Sequence, residues 1–268
     1  MPETVIRSRT NPLVKRLRAL KERGAGDLAL LEGFTLVEEA LGAGIEIVEA
    51  AVTPAAASGA RGAALLAGLA GRGVPVRRVD EGVLASLSEA ETSQGLVALA
   101  RRPSFEESAI YRGRPLVVVA ASLQNPGNVG ALLRSAEAAG ATGAYLTAGT
   151  ADPFSWKALR GAMGSAFRLP HVRGLTLEEA LAHLGQSGVT TLAAVPTGGR
   201  RHDRTDLTRP VAFVLGPETG GLDPALAARA DERVSIPMSG RAESLNVAVA
   251  AAVLLFEAAR QRSAVGSG

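Results

Sequence analysis

Residues 116–134 read LVVVAASLQNPGNVGALLR, and the fold turns on how this stretch is read. Leu116–Ala121 is a short, continuous apolar run, as expected of a strand buried on both faces of a parallel sheet. Gln124-Asn125-Pro126-Gly127 makes a turn, and Asn128–Ala139 continues as a helix. A strand that enters a helix through a glycine-bearing turn is a βα unit, whose first helical amides are free to meet a ligand. The plainer reading of the glycines is a tight corner and no more. Arg134 is harder to place. It stands inside an otherwise apolar, alanine-rich helix, where an unpaired buried guanidinium would be costly. Pairing with Glu137 at i+3 would be an ordinary helix pair of little energetic value.

The same alternation extends in both directions. Downstream, Gly143–Leu146, Thr190–Val195, Val211–Leu215 and Val234–Ile236 have strand patterns. Trp156–Met163, Leu177–Leu184, a short Pro224–Arg229 and the long apolar Ser244–Arg260 have helical ones. Strands alternating with helices predict an α/β fold with a mostly parallel sheet covered on both faces. Upstream, Leu28–Leu31, Ile45–Val52, Val74–Val79 and Gly95–Ala100 read as strands, with helices at Thr35–Leu41, Ala63–Gly71 and Glu81–Leu87. That is a second, smaller α/β domain. The expected division is therefore an N-terminal domain over 1–105, a polar, proline-bounded linker over 106–115, a larger domain over 116–262 and a disordered tail over 263–268. No internal repeat is present.

Composition narrows the function. The chain has 268 residues, 47% hydrophobic and 21% charged, with no cysteine. That excludes a disulfide scaffold, a cysteine-ligated metal and thiol catalysis, and three histidines make a poor metal centre. Apolar runs are too short to span a bilayer and no apolar signal segment opens the chain, so a soluble cytoplasmic protein is expected. Net charge is +3, but residues 1–30 hold seven basic groups against three acids, which is +4 and leaves −1 for the rest. Asn11-Pro12 reads as a helix start, and Leu13, Leu17 and Leu20 then form one apolar stripe. The cations around that stripe, Arg9, Lys15, Arg16, Arg18 and Lys21, suit either a polyanion-facing arm or a solvated helix face.

Two further segments carry chemistry. Phe213–Leu222 runs an apolar strand into Gly216-Pro217-Glu218-Thr219-Gly220-Gly221, placing Glu218 on sharply turned backbone; the plainer reading is a capping glutamate on a surface turn. In Ser235–Ala248, Ser244 and Asn246 would open the last helix, and Ser244 has the plainer reading of an N-cap. Taken together, N-P-G-N-V-G-x-x-x-R, L-G-P-E-x-G-G-L and I-P-M followed by S-L-N-V resemble the three motifs of the SpoU/TrmH family of RNA ribose 2′-O-methyltransferases, of the SPOUT class. Their order and spacing match from residue 124 to residue 248. Ser8–Lys15 and Leu31-Glu32-Gly33 resemble that family's substrate-binding domain, itself similar to small ribosomal RNA-binding proteins. Asn125 stands where an Asp is common, and Ala162 where a Ser is common.

The resemblance implies a trefoil-knotted catalytic domain, S-adenosylmethionine as cofactor, RNA as partner and a homodimer, with no metal and no membrane. Carried over residue by residue, cofactor contacts fall on Ala194 and the loop after it, Gly216, Ile236 and Leu245. Catalytic and substrate-side positions fall on Asn128, Arg134, Glu218, Ser244 and Asn246, and the basic N-terminal residues become RNA contacts. Transfer of a methyl group to a ribose hydroxyl requires alignment and stabilisation of developing negative charge. A guanidinium almost never loses a proton in a protein, so an electrostatic role for Arg134 is preferred to that of base. Three alternatives stand beside this reading: a catalytically idle RNA-binding relative, transfer RNA instead of ribosomal RNA as substrate, and a nucleotide-binding enzyme built on the Asn125–Gly130 turn. Neither common phosphate fingerprint, G-x-G-x-x-G or G-x-x-x-x-G-K-[ST], is present to support the last. A separate basic N-terminal domain favours ribosomal RNA.

Overall fold

In the computed structural model, which describes residues 5–23, 26–87, 93–217 and 220–265, the chain divides into two compact units. The first comprises Met1–Pro103 with Phe154–Phe167, the second Ser104–Pro153 with Arg168–Gly268.

In the first unit, helix α1 (Pro12–Arg23) starts with the Asn11 side chain accepting the Leu13 amide at 2.9 Å. Its stripe is one residue wider than expected: Val14 and Leu17 are buried, with Leu13 and Leu20 packed beside them. Four strands follow, β1 (Leu28–Glu32), β2 (Ile47–Val52), β3 (Val76–Arg78) and β4 (Leu96–Arg101), in the spatial order β1-β4-β2-β3. β4 runs antiparallel to both its neighbours and β2 parallel to β3. Between them lie α2 (Phe34–Gly42), α3 (Pro54–Ser58), α4 (Ala60–Gly71) and α5 (Glu81–Ala85). Val14 and Leu17 meet Leu30, Val83, Leu84 and Leu99 in one core.

The second unit is a seven-stranded sheet. Strand β5 (Leu116–Ala120), fully buried along its length, leads to α6 (Pro126–Ala138) and β6 (Gly143–Leu146). Two short helices, α7 (Trp156–Ala162) and α8 (Ser165–Arg168), come next in the chain, α7 belonging to the first unit. The sheet continues with β7 (His171–Arg173), α9 (Leu177–Gln186), β8 (Thr190–Ala194), β9 (Arg200–Arg201), β10 (Val211–Leu215), α10 (Pro224–Ala227), β11 (Glu232–Ser235) and α11 (Val247–Val265). Strand order is β7-β6-β5-β10-β8-β11-β9, and every pair is parallel. Alternation along the strands divides the core into two layers. Val117, Val119, Ala212 and Val214 face α9 through Ala180 and Leu184. On the opposite face α6 and α11 pack on each other and on β5.

Three expectations are corrected. Residues 106–115 are no free linker: Glu107–Tyr111 forms a 3-10 turn of the second unit, with Ile110 fully buried. A segment with an apolar core residue and a bonded tyrosine cannot stay loose, and the Tyr111 hydroxyl, the Tyr145 hydroxyl and the Glu107 carboxylate form one hydrogen-bonded cluster. Ser263–Val265 continue α11 instead of forming a tail; residues 266–268 lie outside the described residues. The extension is held by Arg262, which donates to the carbonyls of Leu207, Arg114, Pro115 and Arg209 at 2.7–3.0 Å. Finally, Phe154–Phe167 joins the first unit: Phe154, Ala158, Leu159 and Ala162 are buried, and the Trp156 indole N–H donates to Glu32.

Candidate active site

Strands β10, β8 and β11 are adjacent and parallel, so the loops that leave their C-terminal ends emerge together. In open α/β sheets this is where ligands bind. A cavity of about 540 Å³ lies there, within the range that holds a cofactor-sized molecule. Its wall is built from the β8 end (Ala194), the loop after β10 (Gly216), the loop after β11 (Ile236, Ser244, Leu245, Asn246) and one face of α11 (Val247, Ala250, Leu254). All four positions assigned to the cofactor therefore stand on one cavity wall, although they span residues 194 to 245 in the chain. Among the described residues the lining carries a single ionisable side chain, Glu243. The α11 face was not singled out from sequence. Its spacing of 0, 3 and 7 from Val247 was the available signal.

Gly216 is required by its own loop. A Cβ there would lie 2.3 Å from the Leu222 amide nitrogen and 2.5 Å from the Leu222 Cα. The close approach that requires a glycine here is to residues 221–222 of the same loop.

Asn246, not Ser244, caps the last helix. Its Oδ1 accepts the amides of Ala248 at 2.9 Å and Val249 at 3.4 Å, while Ser244 lies exposed in the preceding loop. Ser and Asn cap equally well, so only the path of the loop decides between them. The Asn246 Nδ2 then donates to Asn128 Oδ1 at 3.1 Å, joining the first and third motif segments. Asn128 is held from below by the cap of α6, where Asn125 Oδ1 accepts the amides of Gly127 at 2.8 Å and Asn128 at 3.4 Å. An Asp would cap the same amides, so this departure from the common residue costs the helix nothing.

Arg134 corrects the sequence reading. It lies on the exposed side of α6, opposite the buried Val129, Leu132, Leu133 and Ala136, and does not line the cavity. No burial cost therefore attaches to its charge. Glu137 does not pair with it either; both carboxylate oxygens accept from Arg168, one at 3.0 Å. Glu218 lies outside the described residues. In the first unit Arg9 and Lys15 are exposed, Arg16 pairs with Glu49 at 3.6 Å and Arg18 is half-buried, donating to Ser86. The Lys21 side chain is outside the described set.

Among the described residues no group of three or more His, Asp or Glu could hold a metal, and no helix is long and apolar enough to cross a membrane.

Comparison with known proteins gives the family. Residues 115–256 match the SpoU rRNA methylase family, and residues 30–106 match the RNA 2′-O ribose methyltransferase substrate-binding family. The chain is 33% identical to the 23S rRNA (guanosine(2553)-2′-O)-methyltransferase RlmP of Bacillus subtilis, over 90% of this chain and 92% of that one. Among solved structures it is similar to an RNA 2′-O ribose methyltransferase (37% identity, TM-score 0.82, covering 97% and 100% of the two chains). It is also similar to an AdoMet-bound rRNA methyltransferase from Sinorhizobium meliloti (32% identity, TM-score 0.81, covering 96% and 97%). The chain thus belongs to the SpoU rRNA methylase family, and it is an S-adenosylmethionine-dependent RNA ribose 2′-O-methyltransferase.

Proposed function

We propose that this chain methylates a ribose 2′-oxygen of ribosomal RNA, with S-adenosylmethionine held in the cavity at the ends of β8, β10 and β11. The observation that carries the proposal is the convergence of Ala194, Gly216, Ile236 and Leu245 on one cavity wall. When bound there, the cofactor supplies an electrophilic methyl group. The chain supplies the rest. Apolar walls from Val247, Ala250 and Leu254 exclude water, and backbone of the three loops offers hydrogen-bonding groups. Asn246 and Asn128, bonded to each other, orient the ribose, and Ser244 stands beside them on the lip. Arg134, with Glu218, stabilises the negative charge that develops on the oxygen and contacts a neighbouring phosphate, through which, or through water, the hydroxyl proton leaves as the methyl group departs from sulfur.

The exposed position of Arg134 fits a homodimer in which a second copy covers α6 and α11. Val249 and Phe256, seven residues apart on α11, are 50% and 51% exposed and form the apolar stripe such packing would bury. Residues 1–105 are assigned to substrate RNA and 116–262 to catalysis, and ribosomal RNA places the reaction in the cytoplasm. The trefoil knot is supported by one detail of the sheet. Val234 of β11 pairs with Ala194 on one side and Arg200 on the other, so the five residues Val195–Gly199 bridge across β11 where the chain leaves it. The bridge is tight, with Val195 N donating to Val234 O at 2.9 Å and Ser235 Oγ donating to Gly199 O at 3.0 Å.

The test is Arg134→Ala. S-adenosylmethionine affinity by calorimetry should be unchanged, while single-turnover ribose methylation of ribosomal RNA falls by about 3–5 kcal/mol in transition-state stabilisation. Near-normal turnover removes Arg134 from the reaction. Absence of S-adenosylmethionine binding by the unaltered protein removes the assignment of the cavity.

A further inference from the structure

Residues 198–209 contain Arg200, Arg201, Arg204 and Arg209 against Asp203 and Asp206. This excess of two positive charges stands in a portion of the chain, 31–268, whose formal sum is −1. The stretch forms the free edge of the seven-stranded sheet, at β9, and the 3-10 turn His202–Arg204 that follows it.

The acids nearby are already engaged. Asp203 takes a two-pronged bond from Arg201 at 3.0 and 2.7 Å, and Glu232 pairs with Arg209. Asp206, near enough to Arg200 to feel its charge, accepts the amide and hydroxyl of Thr208 at 2.9 and 2.6 Å. Asp231 accepts the amide and hydroxyl of Thr191. Arg200 and Arg204 are exposed and make no ion pair among the described residues. Register puts Arg200 on the cavity's face of the sheet. Arg200 pairs in register with Val234, so both side chains leave the same face of the sheet, and Val234 lines the cavity. The turn that carries Arg204 packs against α11, and the residues just after it bond to Gln261, toward the C-terminal end of that helix, beyond the cavity-lining Val247, Ala250 and Leu254. Arg241, also exposed, sits on the loop between the cavity-lining Met238 and Glu243.

We propose that Arg200 and Arg204 bind the phosphate backbone of the RNA next to the nucleotide being methylated, giving the second unit its own substrate contacts apart from the basic N-terminal helix. The proposal rests on the function assigned above. Two exposed guanidiniums four residues apart, neither in an ion pair among the described residues and one of them on the cavity's face of the sheet, are what a polyanion requires. Arginines at a sheet edge also discourage edge-to-edge association, which is the competing explanation.

The experiment compares the unaltered protein with two double variants, Arg200→Ala with Arg204→Ala and Arg200→Lys with Arg204→Lys. RNA affinity is measured against salt on an unmodified transcript of 23S ribosomal RNA. The alanine pair should keep S-adenosylmethionine affinity and kcat, raise KM about tenfold, and lower the slope of log K against log salt by about 1.5–2, as expected for two lost phosphate contacts. The lysine pair should keep most of the slope. An unchanged slope and KM in the alanine pair overturns the proposal, as does a lysine pair as impaired as the alanine pair. Self-association of the alanine pair with unaltered RNA binding assigns the charges to edge protection and also overturns it. These outcomes are read on RNA binding, so they remain distinct from failure of the unaltered protein to methylate the transcript, which would refute the assigned function instead.

Discussion

Asn246→Ser separates the architectural work of Asn246 from its chemical work. The native side chain does two things at once: Oδ1 caps α11 through the amides of Ala248 and Val249, and Nδ2 holds Asn128 at 3.1 Å. A cap of this kind contributes about 1 kcal/mol, and an exposed amide–amide bond about 0.5–1.5 kcal/mol. Serine retains the cap, because its hydroxyl accepts the same amides, but it is too short to reach Asn128. Alanine loses both. Asn246→Ala should therefore cost about 1.5–2.5 kcal/mol of stability, a fall in Tm of roughly 3–10 °C for a chain of this size. Asn246→Ser keeps the cap and loses only the bond to Asn128, so it should cost about 0.5–1.5 kcal/mol. If the bond to Asn128 orients the ribose, releasing it costs transition-state stabilisation on the order of 1.4 kcal/mol, so kcat/KM of Asn246→Ser should fall about tenfold. Thermal melts and single-turnover methylation on both variants decide the question. Native kcat/KM in the serine variant would refute the orienting role and leave Asn246 a cap. Equal destabilisation by serine and alanine would refute the cap.

Two further outcomes follow from the geometry. Gly216→Ala places a methyl group 2.3 Å from the Leu222 nitrogen, so the loop that walls the cavity must move. Calorimetry should find S-adenosylmethionine affinity lost, with a stability cost of about 1–3 kcal/mol, and retained affinity would show that the loop is not part of the cofactor site. His171 is buried beside the Phe105 ring with Nδ1 bonded to the Leu169 carbonyl at 2.9 Å, and burial lowers its pKa from 6.5 to about 4. Below pH 6.5 the unfolded chain takes up this proton before the folded one does. Stability present above pH 6.5 should thus fall as pH drops toward 4, by about 3 kcal/mol. His171→Gln should flatten melting temperature over that window; a variant with the native pH slope would assign the effect to other groups.

How much of this was legible in the sequence depended on whether the deciding interaction is local. The β5–α6 unit was legible because its determinants are adjacent: an unbroken buried run and an asparagine cap followed by proline. So was the parallel sheet, from the alternation of segments. Strands β7 and β9, of three and two residues, are too short to carry a period. Arg134 was misjudged because the composition of its helix was read in place of its angular position; Leu132 and Leu133 face inward and the next residue turns out. The apolar positions of Phe154–Phe167 were visible as a helix, but periodicity identifies a face to be buried and never its partner. Nothing local to Trp156 says that its indole meets Glu32, 124 residues earlier. The cofactor positions came from motif resemblance, since their convergence depends on the strand order β10-β8-β11, which no pattern along the chain encodes.

That strand order also explains why the site needs more than its cavity. Three loops closing over parallel strand ends make a pocket lined by apolar side chains and backbone, with Glu243 its single described ionisable group. Such a lining can bind a cofactor and exclude water, but it offers little to a developing oxyanion. The cations proposed for that task and for holding RNA, Arg134 on α6 and Arg200 and Arg204 at the β9 edge, all stand exposed outside the cavity. Exposure is an advantage for a polyanionic substrate, because a guanidinium that keeps its hydration until RNA arrives costs the folded protein nothing in the meantime. Its electrostatic contribution then rises when RNA, or a second copy of the chain, displaces the water around it. On this argument the pocket prepares the methyl donor, and the arrival of the substrate completes the charged half of the site.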